Sequence, residues 1–300
     1  MDNNSLDEVS NISNSKLAKM KLMLWISGGL IVVVGVVFLC GYILFGNLPD
    51  DETIRSYQPK STTYLMDVKN LQHFPGQPIR IWVPLSKISS NLQKAVLISE
   101  DDTFYQHDGI NWTEMKKAFQ RNLERRGYTR GASTITMQLA RNAFLTREKT
   151  LLRKFREIIL ARRMEKLLSK RRIFELYLNI VEWGPNIYGA EAAARFYFGK
   201  PASALTLAEA SLLAAMLPNP KRFNPMIRMN AVKKLQQRVL TLLRDARWIT
   251  PEEFEMVLTE PIYLRGAYPE VQPLSNQPDS TNSVSEDSTL VPHDSTTNEI

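Results

Sequence analysis

The sequence predicts a mainly α protein behind a single N-terminal membrane-spanning helix. Three observations carry that reading. No charged residue occurs from Leu22 to Pro49, and the run LMLWISGGLIVVVGVVFLCGYILF inside it is almost wholly apolar. From Leu92 to Leu264 apolar residues recur at three- and four-residue spacing, as in Leu151, Phe155, Ile158 and Ile159. A strand-like alternation appears at Ile79-Arg80-Ile81-Trp82-Val83, closed by Pro84.

The apolar run comes first. About 20 helical residues cross the hydrocarbon core of a bilayer, so residues 22–46 are long enough to span it with some tilt. Trp25 and Tyr42 sit near its two ends, where amphipathic rings favour the interface. A cleaved signal peptide would have an apolar region of about 7–15 residues and a small-residue cleavage site. This run is longer, and Gly46-Asn47-Leu48-Pro49 offers no such site. An uncleaved anchor is expected. Lys16, Lys19 and Lys21 precede it, whereas Asp50, Asp51 and Glu52 follow it. The positive-inside rule then leaves residues 1–21 in the cytoplasm and the chain after Asp50 outside. The one cysteine, Cys40, falls inside the anchor. That count excludes an intramolecular disulfide framework and zinc-finger or iron–sulfur spacings.

Residues 47–91 read as a stalk and a strand, and 92–265 as the main helical domain. Leu207 to Met216 reads as a short buried helix, stopped by Pro218 and Pro220. In 266–300 Ser, Thr, Asn and Pro dominate without Lys or Arg, the composition of a disordered acidic tail. The formal net charge is +7, unevenly placed: between Lys116 and Arg172 basic residues far outnumber Glu. Such a run is most often a solvated helical face. Outside a membrane, phosphate on a lipid or a substrate is a more natural partner than nucleic acid.

Three clusters could carry chemistry. Glu100-Asp101-Asp102-Thr103-Phe104-Tyr105-Gln106-His107-Asp108-Gly109 emerges from the apolar Ala95-Val96-Leu97-Ile98, a strand or helix end. Partial desolvation there would raise a carboxylate toward a useful general base, although acidic loops more often cap helices. His107 by itself reads as a hydrogen-bonded structural residue. Gly131-Ala132-Ser133-Thr134-Ile135-Thr136-Met137-Gln138-Leu139-Ala140-Arg141-Asn142 places small and hydroxyl residues at a helix start. Free backbone N–H groups there could hold an anion; an ordinary N-cap is the plainer alternative. Lys149, Arg153 and Glu157 follow at four-residue spacing with Lys154 beside them. That pattern suits either a diphosphate or an i,i+4 salt bridge of about 0.3–0.5 kcal/mol.

In this order the clusters resemble the family-51 peptidoglycan glycosyltransferases. The resemblance is carried by Glu100-Asp101 with Phe104, His107 and Gly109, then by Gly131 to Asn142, then by Arg153-Lys154 with Glu157. Glu175-x-Tyr177-Leu178-Asn179 and Glu209-Ala210 with Leu213-Ala214 before Pro218 complete it. It spans about Val83 to Pro225. Trp183-Gly184-Pro185-Asn186-Ile187-Tyr188-Gly189-Ala190-Glu191 is most similar to the monofunctional biosynthetic group of Gram-negative bacteria. Met137 stands where the family more often has Gln, and Arg141 where Lys is frequent.

The resemblance implies a lysozyme-like helical domain that polymerises lipid II into β-1,4 glycan with release of undecaprenyl diphosphate, by an inverting single displacement. It gives Glu100 the role of general base and puts Glu157 near the donor diphosphate or its metal. Arg141, Lys149, Arg153 and Lys154 would neutralise the leaving diphosphate, and Ser133, Thr134, Thr136 and Gln138 would line the sugar–phosphate groove. Asn179, Tyr188 and Glu209 would support the site from below. It further implies a divalent cation, Mg2+ or Mn2+, on the diphosphate, with its protein ligands unspecified. The partners implied are the growing glycan strand, membrane lipids and other cell-wall synthesis proteins, at the bacterial inner membrane with the catalytic domain periplasmic. No P-loop or G-x-G-x-x-G is present, so no nucleotide cofactor is expected.

A lipid substrate suits a tethered enzyme. Trp112, Met115 and Phe119 share one face of an expected helix, which would either dip into the headgroups, with Lys116, Lys117 and Arg121 toward lipid phosphates, or join the core. A membrane-anchored lytic transglycosylase is the main competitor, since such folds also use one essential glutamate. Cleavage commonly employs a second carboxylate and needs no cations beside Glu157. A bifunctional penicillin-binding protein would need a transpeptidase domain where only the polar tail follows Gly266. A scaffold of the division machinery would tolerate loss of Glu100.

Overall fold

The computed structural model describes residues 3–46, 48–61, 78–124, 133–146 and 150–265. Lys149 and the expected tail at 266–300 lie outside the described residues. The first helix, α1 (Asn3–Phe45), begins well before the charge-free run. Its segment Trp25–Phe45 has mean hydropathy 2.6 over 21 residues and is almost wholly exposed, so it is long and apolar enough to cross a membrane.

A short helix, α2 (Asp51–Ser56), follows; the Asp50 carboxylate caps it by accepting from Thr53 N at 2.8 Å. The strand expected over 79–83 shrinks to β1 (Ile79–Arg80). The reason is local. The Asn179 side chain takes both backbone groups of Val83, accepting from its N at 3.0 Å and donating to its O at 2.9 Å. Glu175 Oε2 accepts from Leu85 N at 2.8 Å, so the chain is peeled from any ladder after Arg80.

The remaining elements are α3 (Ser90–Glu100), α4 (Trp112–Glu124), α5 (Ile135–Phe144), α6 (Leu151–Leu167) and α7 (Lys170–Ile180). Then come β2 (Glu182–Gly184), β3 (Ile187–Tyr188), α8 (Ala190–Phe198), α9 (Leu207–Met216), α10 (Pro225–Asp245) and α11 (Pro251–Thr259). The strands form one small sheet in the order β1-β3-β2, with Ile79 opposite Ile187 in the parallel pair. Ala95 to Ile98, read from sequence as strand or helix end, belongs to α3.

The centre of the fold is α9, buried from Ala208 to Met216, with α3 and α10 packed on it. Its alanines (Ala208, Ala210, Ala214 and Ala215) let those neighbours approach closely, and Leu212 and Leu213 fill the gaps. Each fully buried Leu of this kind contributes about 1.5–3 kcal/mol. A Thr206–Glu209 capping box starts the helix, and Glu209 also pairs with Lys200 at 2.8 Å. Trp183 is fully buried and donates Nε1 to Leu213 O at 3.1 Å, which ties the small sheet to the same helix.

A second packing unit positions the charged residues: α5 lies against both α6 and α7. On α4, Trp112 is exposed and Met115 half-buried, whereas the Phe119 and Arg121 side chains fall outside the described residues. Lys117 on that helix pairs with Glu114 at 2.9 Å.

Candidate active site

The end of α3 and the start of α5 are held together by Asp101. This residue is 8% exposed, and its Oδ2 accepts from Ile135 N at 2.9 Å, the first N–H of α5. A carboxylate at a helix N-terminus satisfies an orphan donor and meets the positive end of the dipole. Asp101 Oδ1 lies 2.9 Å from His107 Nε2, and Lys170 Nζ donates to His107 O at 2.5 Å. His107 is thus the structural residue expected of it. The helix termini around Glu100 are fixed before any substrate arrives.

Glu100 is the last residue of α3 and is half-buried. Gln138, on α5, donates Nε2 to Glu100 Oε2 at 2.7 Å and accepts from Tyr177 OH at 3.3 Å through Oε1. Tyr177 is fully buried. Burial and the nearby Glu100 carboxylate push its hydroxyl well above the ordinary range, while Arg141 pulls the other way. The phenol stays protonated and remains a donor.

Against α5 lies the cationic cluster of α6. Glu157 is 1% exposed, its Oε1 paired with Arg153 and its Oε2 with Lys154 at 2.9 Å. Lys154 Nζ also donates to Ser133 Oγ at 2.8 Å. Burial, then Arg141 and Arg153, push the Lys154 ammonium down to about 8, against the pull of the Glu157 carboxylate. Arg153 is lowered as well, by burial and by Arg141. Such a shift marks a place where positive charge is crowded and an anion is wanted. Arg141, Arg153 and Arg80 line one cleft of about 470 Å³ with Asn142, Glu182 and Tyr188. The Arg80 guanidinium sits 5.4 Å from the centre of the Tyr188 ring.

The sequence-derived residues therefore separate into three groups. Glu100 with Gln138, and Arg141 with Ser133, Arg153, Lys154 and Glu157, are gathered along α5. Thr134 and Thr136 do not line the groove expected of them. Thr134 caps α5 at Met137 N and donates to Gly109 O at 2.6 Å; Thr136 is fully buried and donates to Glu165 Oε1 at 2.5 Å. Here the N-cap alternative is the observed one, and Gly131 and Ala132 lie outside the described residues. Asn179 is fully buried too, with its amide engaged by Val83 and Glu175 O, so it shapes the wall and does not face substrate.

Asp101, Tyr177, Arg80 and Asn142 were absent from the sequence-derived site. Asp101, Tyr177 and Asn142 stand inside the quoted motifs, so the signal was present. Arg80 lies upstream of the resemblance, and nothing in its local pattern distinguishes it. Among the described residues no group of three or more His, Cys, Asp or Glu comes together. Both Glu157 oxygens are already occupied by cations. These residues do not fit a protein cage for a divalent ion.

The comparisons with known proteins identify the family. A family model described as transglycosylase matches residues 67–244. A biosynthetic peptidoglycan transglycosylase of Chromobacterium violaceum is 47% identical over 173 residues, covering 57% of this chain and 76% of that protein. Proteins with the same description from Azoarcus sp. and Rhodospirillum centenum are 40% identical over 203 residues and 46% over 192. Those matches cover 66% and 62% of this chain, and 86% and 82% of the respective relatives. The family match includes Glu100, the whole of α5 and the Arg153-Lys154-Glu157 cluster, and the chain belongs to the transglycosylase family.

Proposed function

We propose that the chain is a peptidoglycan glycosyltransferase that polymerises lipid II into β-1,4 glycan strands with release of undecaprenyl diphosphate. One observation supports this above the rest: α5 links a single carboxylate to a crowd of cations. Gln138 on that helix reaches Glu100, Ser133 just before it reaches Lys154, and Arg141 acts electrostatically on Tyr177, Arg153 and Lys154 alike.

The chemistry follows from that division. The acceptor 4-hydroxyl of an incoming lipid II attacks the anomeric carbon of the growing strand, and Glu100 takes its proton. The C–O bond to the diphosphate breaks, with inversion and no covalent intermediate. Negative charge grows on the leaving group, where preorganised Arg141, Arg153 and Lys154 meet it. Glu157 touches no solvent-filled space; it is the counter-ion that keeps Arg153 and Lys154 aimed.

The lipid substrate sets the location. With α1 as a single-pass anchor in the plasma membrane, Lys16, Lys19 and Lys21 stay cytoplasmic and the domain after Asp50 is periplasmic. The test is polymerisation of labelled lipid II resolved on a gel, with wild type, Glu100→Gln and Glu157→Gln. A lysozyme-sensitive ladder from wild type and none from Glu100→Gln is the expected result. Absence of polymer together with degradation of preformed glycan would replace the proposal by a lytic reading.

A further inference from the structure

We propose that Glu182 makes the cationic cleft discriminate between the glycosyl diphosphate it takes as substrate and the free diphosphate it must release. The inference rests on the reading of the site as a lipid II polymerase, and it assigns a role to a carboxylate that the mechanism leaves unused. Arg80 on β1 lies opposite Tyr188 on β3, and Glu182 on β2 lies opposite the same tyrosine. Directly opposed residues share a sheet face, so the three form one row of a cation, a ring and a carboxylate. That row is one wall of the cleft of about 470 Å³, which Arg141 from α5 and Arg153 from α6 also line. Among the described residues lining it, Glu182 is the one carboxylate alongside three arginines.

Glu182 differs from Glu157 in what its charge is tied to. Glu157 is 1% exposed and closed off by Arg153 and Lys154. The Glu182 side chain is 23% exposed, and its counter-ion is Lys221, 3.6 Å away between α9 and α10 and itself 59% exposed. A pair so loose and so wet leaves the carboxylate available to whatever enters the cleft. An ionised carboxylate only accepts hydrogen bonds. A hexosamine brings hydroxyl and amide N–H donors that satisfy it, whereas a bare ionised diphosphate brings none and is repelled. The difference grows with the reaction. A diphosphate esterified at both ends carries two negative charges, and breaking the C–O bond exposes a terminal phosphate that takes on a further one. Arginines alone would therefore hold the product harder than the substrate. Glu182 opposes that added charge and accepts from the sugar, so the cleft favours the esterified form.

The full chain in detergent would be assayed on lipid II and inhibited with inorganic pyrophosphate, the probe for a diphosphate without a sugar. In Glu182→Gln the pyrophosphate inhibition constant should fall roughly three- to tenfold, the scale of one charge removed from a partly exposed site. KM for lipid II should stay level or rise. Lys221→Gln strips the counter-charge from Glu182 and should move the pyrophosphate constant the other way. A purely structural role for Glu182 would weaken both ligands together, and that result overturns the inference. So does a pyrophosphate constant that falls in parallel with KM. A wild-type chain that makes no polymer removes the polymerase reading and this inference with it. A wild-type glycan ladder with an unmoved pyrophosphate constant in Glu182→Gln removes the inference alone.

Discussion

Gln138 fixes the orientation of Glu100, and its own orientation is fixed from behind. Its Nε2 donates to Glu100 Oε2 at 2.7 Å while its Oε1 accepts from Tyr177 OH at 3.3 Å. A carboxamide has a donor end and an acceptor end; the acceptor-only carboxylate takes Nε2, and the Tyr177 hydroxyl, donating to Oε1, anchors the amide in that orientation. Removing that hydroxyl in Tyr177→Phe takes away the rear anchor of the amide, so Nε2 is held less firmly against Glu100. The charge-stabilising hydrogen bond to the carboxylate then weakens, so its pKa rises. Lipid II turnover by Tyr177→Phe should fall about tenfold, the rate equivalent of roughly 1.4 kcal/mol. The acidic limb of its pH profile should move upward and KM change little. An unmoved limb would show that Tyr177 serves packing alone.

Lys154 sets the alkaline limit. Its ammonium titrates near pH 8 because burial, Arg141 and Arg153 all oppose its charge. Below that pH it is a cation beside the leaving diphosphate; above it the cation is lost, so turnover should decline as pH rises through about 8. Lys154→Arg keeps the charge over the whole range, since a guanidinium does not lose its proton there. Whatever its absolute rate, its alkaline limb should shift upward or vanish. Coincident alkaline limbs in the two proteins would remove Lys154 from that role.

Arg80 separates binding from chemistry. It lines the cationic cleft beside Arg141 and Arg153, with its guanidinium stacked toward Tyr188. A residue that holds ground and transition states alike changes KM and spares kcat. Arg80→Ala should raise KM for lipid II severalfold with kcat nearly preserved; a fall in kcat alone would place it at the reacting centre.

The helical domain and its charged cluster were legible because their signals are local. The spacing of Leu151, Phe155, Ile158 and Ile159 fixes α6, and Arg153 with Glu157 reads directly as a pair one turn apart, as observed. Legibility failed where tertiary contacts decide. Nothing local to Ile79–Val83 says that Asn179, 96 residues away in sequence, will take the hydrogen-bonding groups of Val83 and end the strand. Thr134 and Thr136 looked like groove residues because a hydroxyl-rich helix start serves an anion site and an N-cap equally well. Only burial distinguishes the two, and it depends on Gly109 and Glu165, which come from other segments.

Two glycines distinguish contact from conformation. Gly189 and Gly199 both have positive φ, +86° and +70°, so both carry a backbone penalty for any side chain. At Gly199 the nearest atom to an added Cβ is the flexible Arg265 Cδ at 3.6 Å, and the residue ends α8 in the left-handed region. Gly199→Ala should cost about 1–2 kcal/mol, the conformational term alone. At Gly189, ψ is 152°, a region essentially reserved for glycine, and a Cβ would meet Asn179 O at 2.7 Å. That oxygen is backbone in the last turn of α7 and cannot swing away. The turn at Gly189 is also pinned by its N–H to Val181 O at 2.9 Å. Gly189→Ala must therefore push apart β3 and the helix whose Asn179 side chain holds Val83. Its thermal midpoint should fall clearly further than that of Gly199→Ala, with polymerase activity lost in step with folded protein. Equal falls in the two variants would mean that the α7 contact relaxes freely and only the backbone conformation matters.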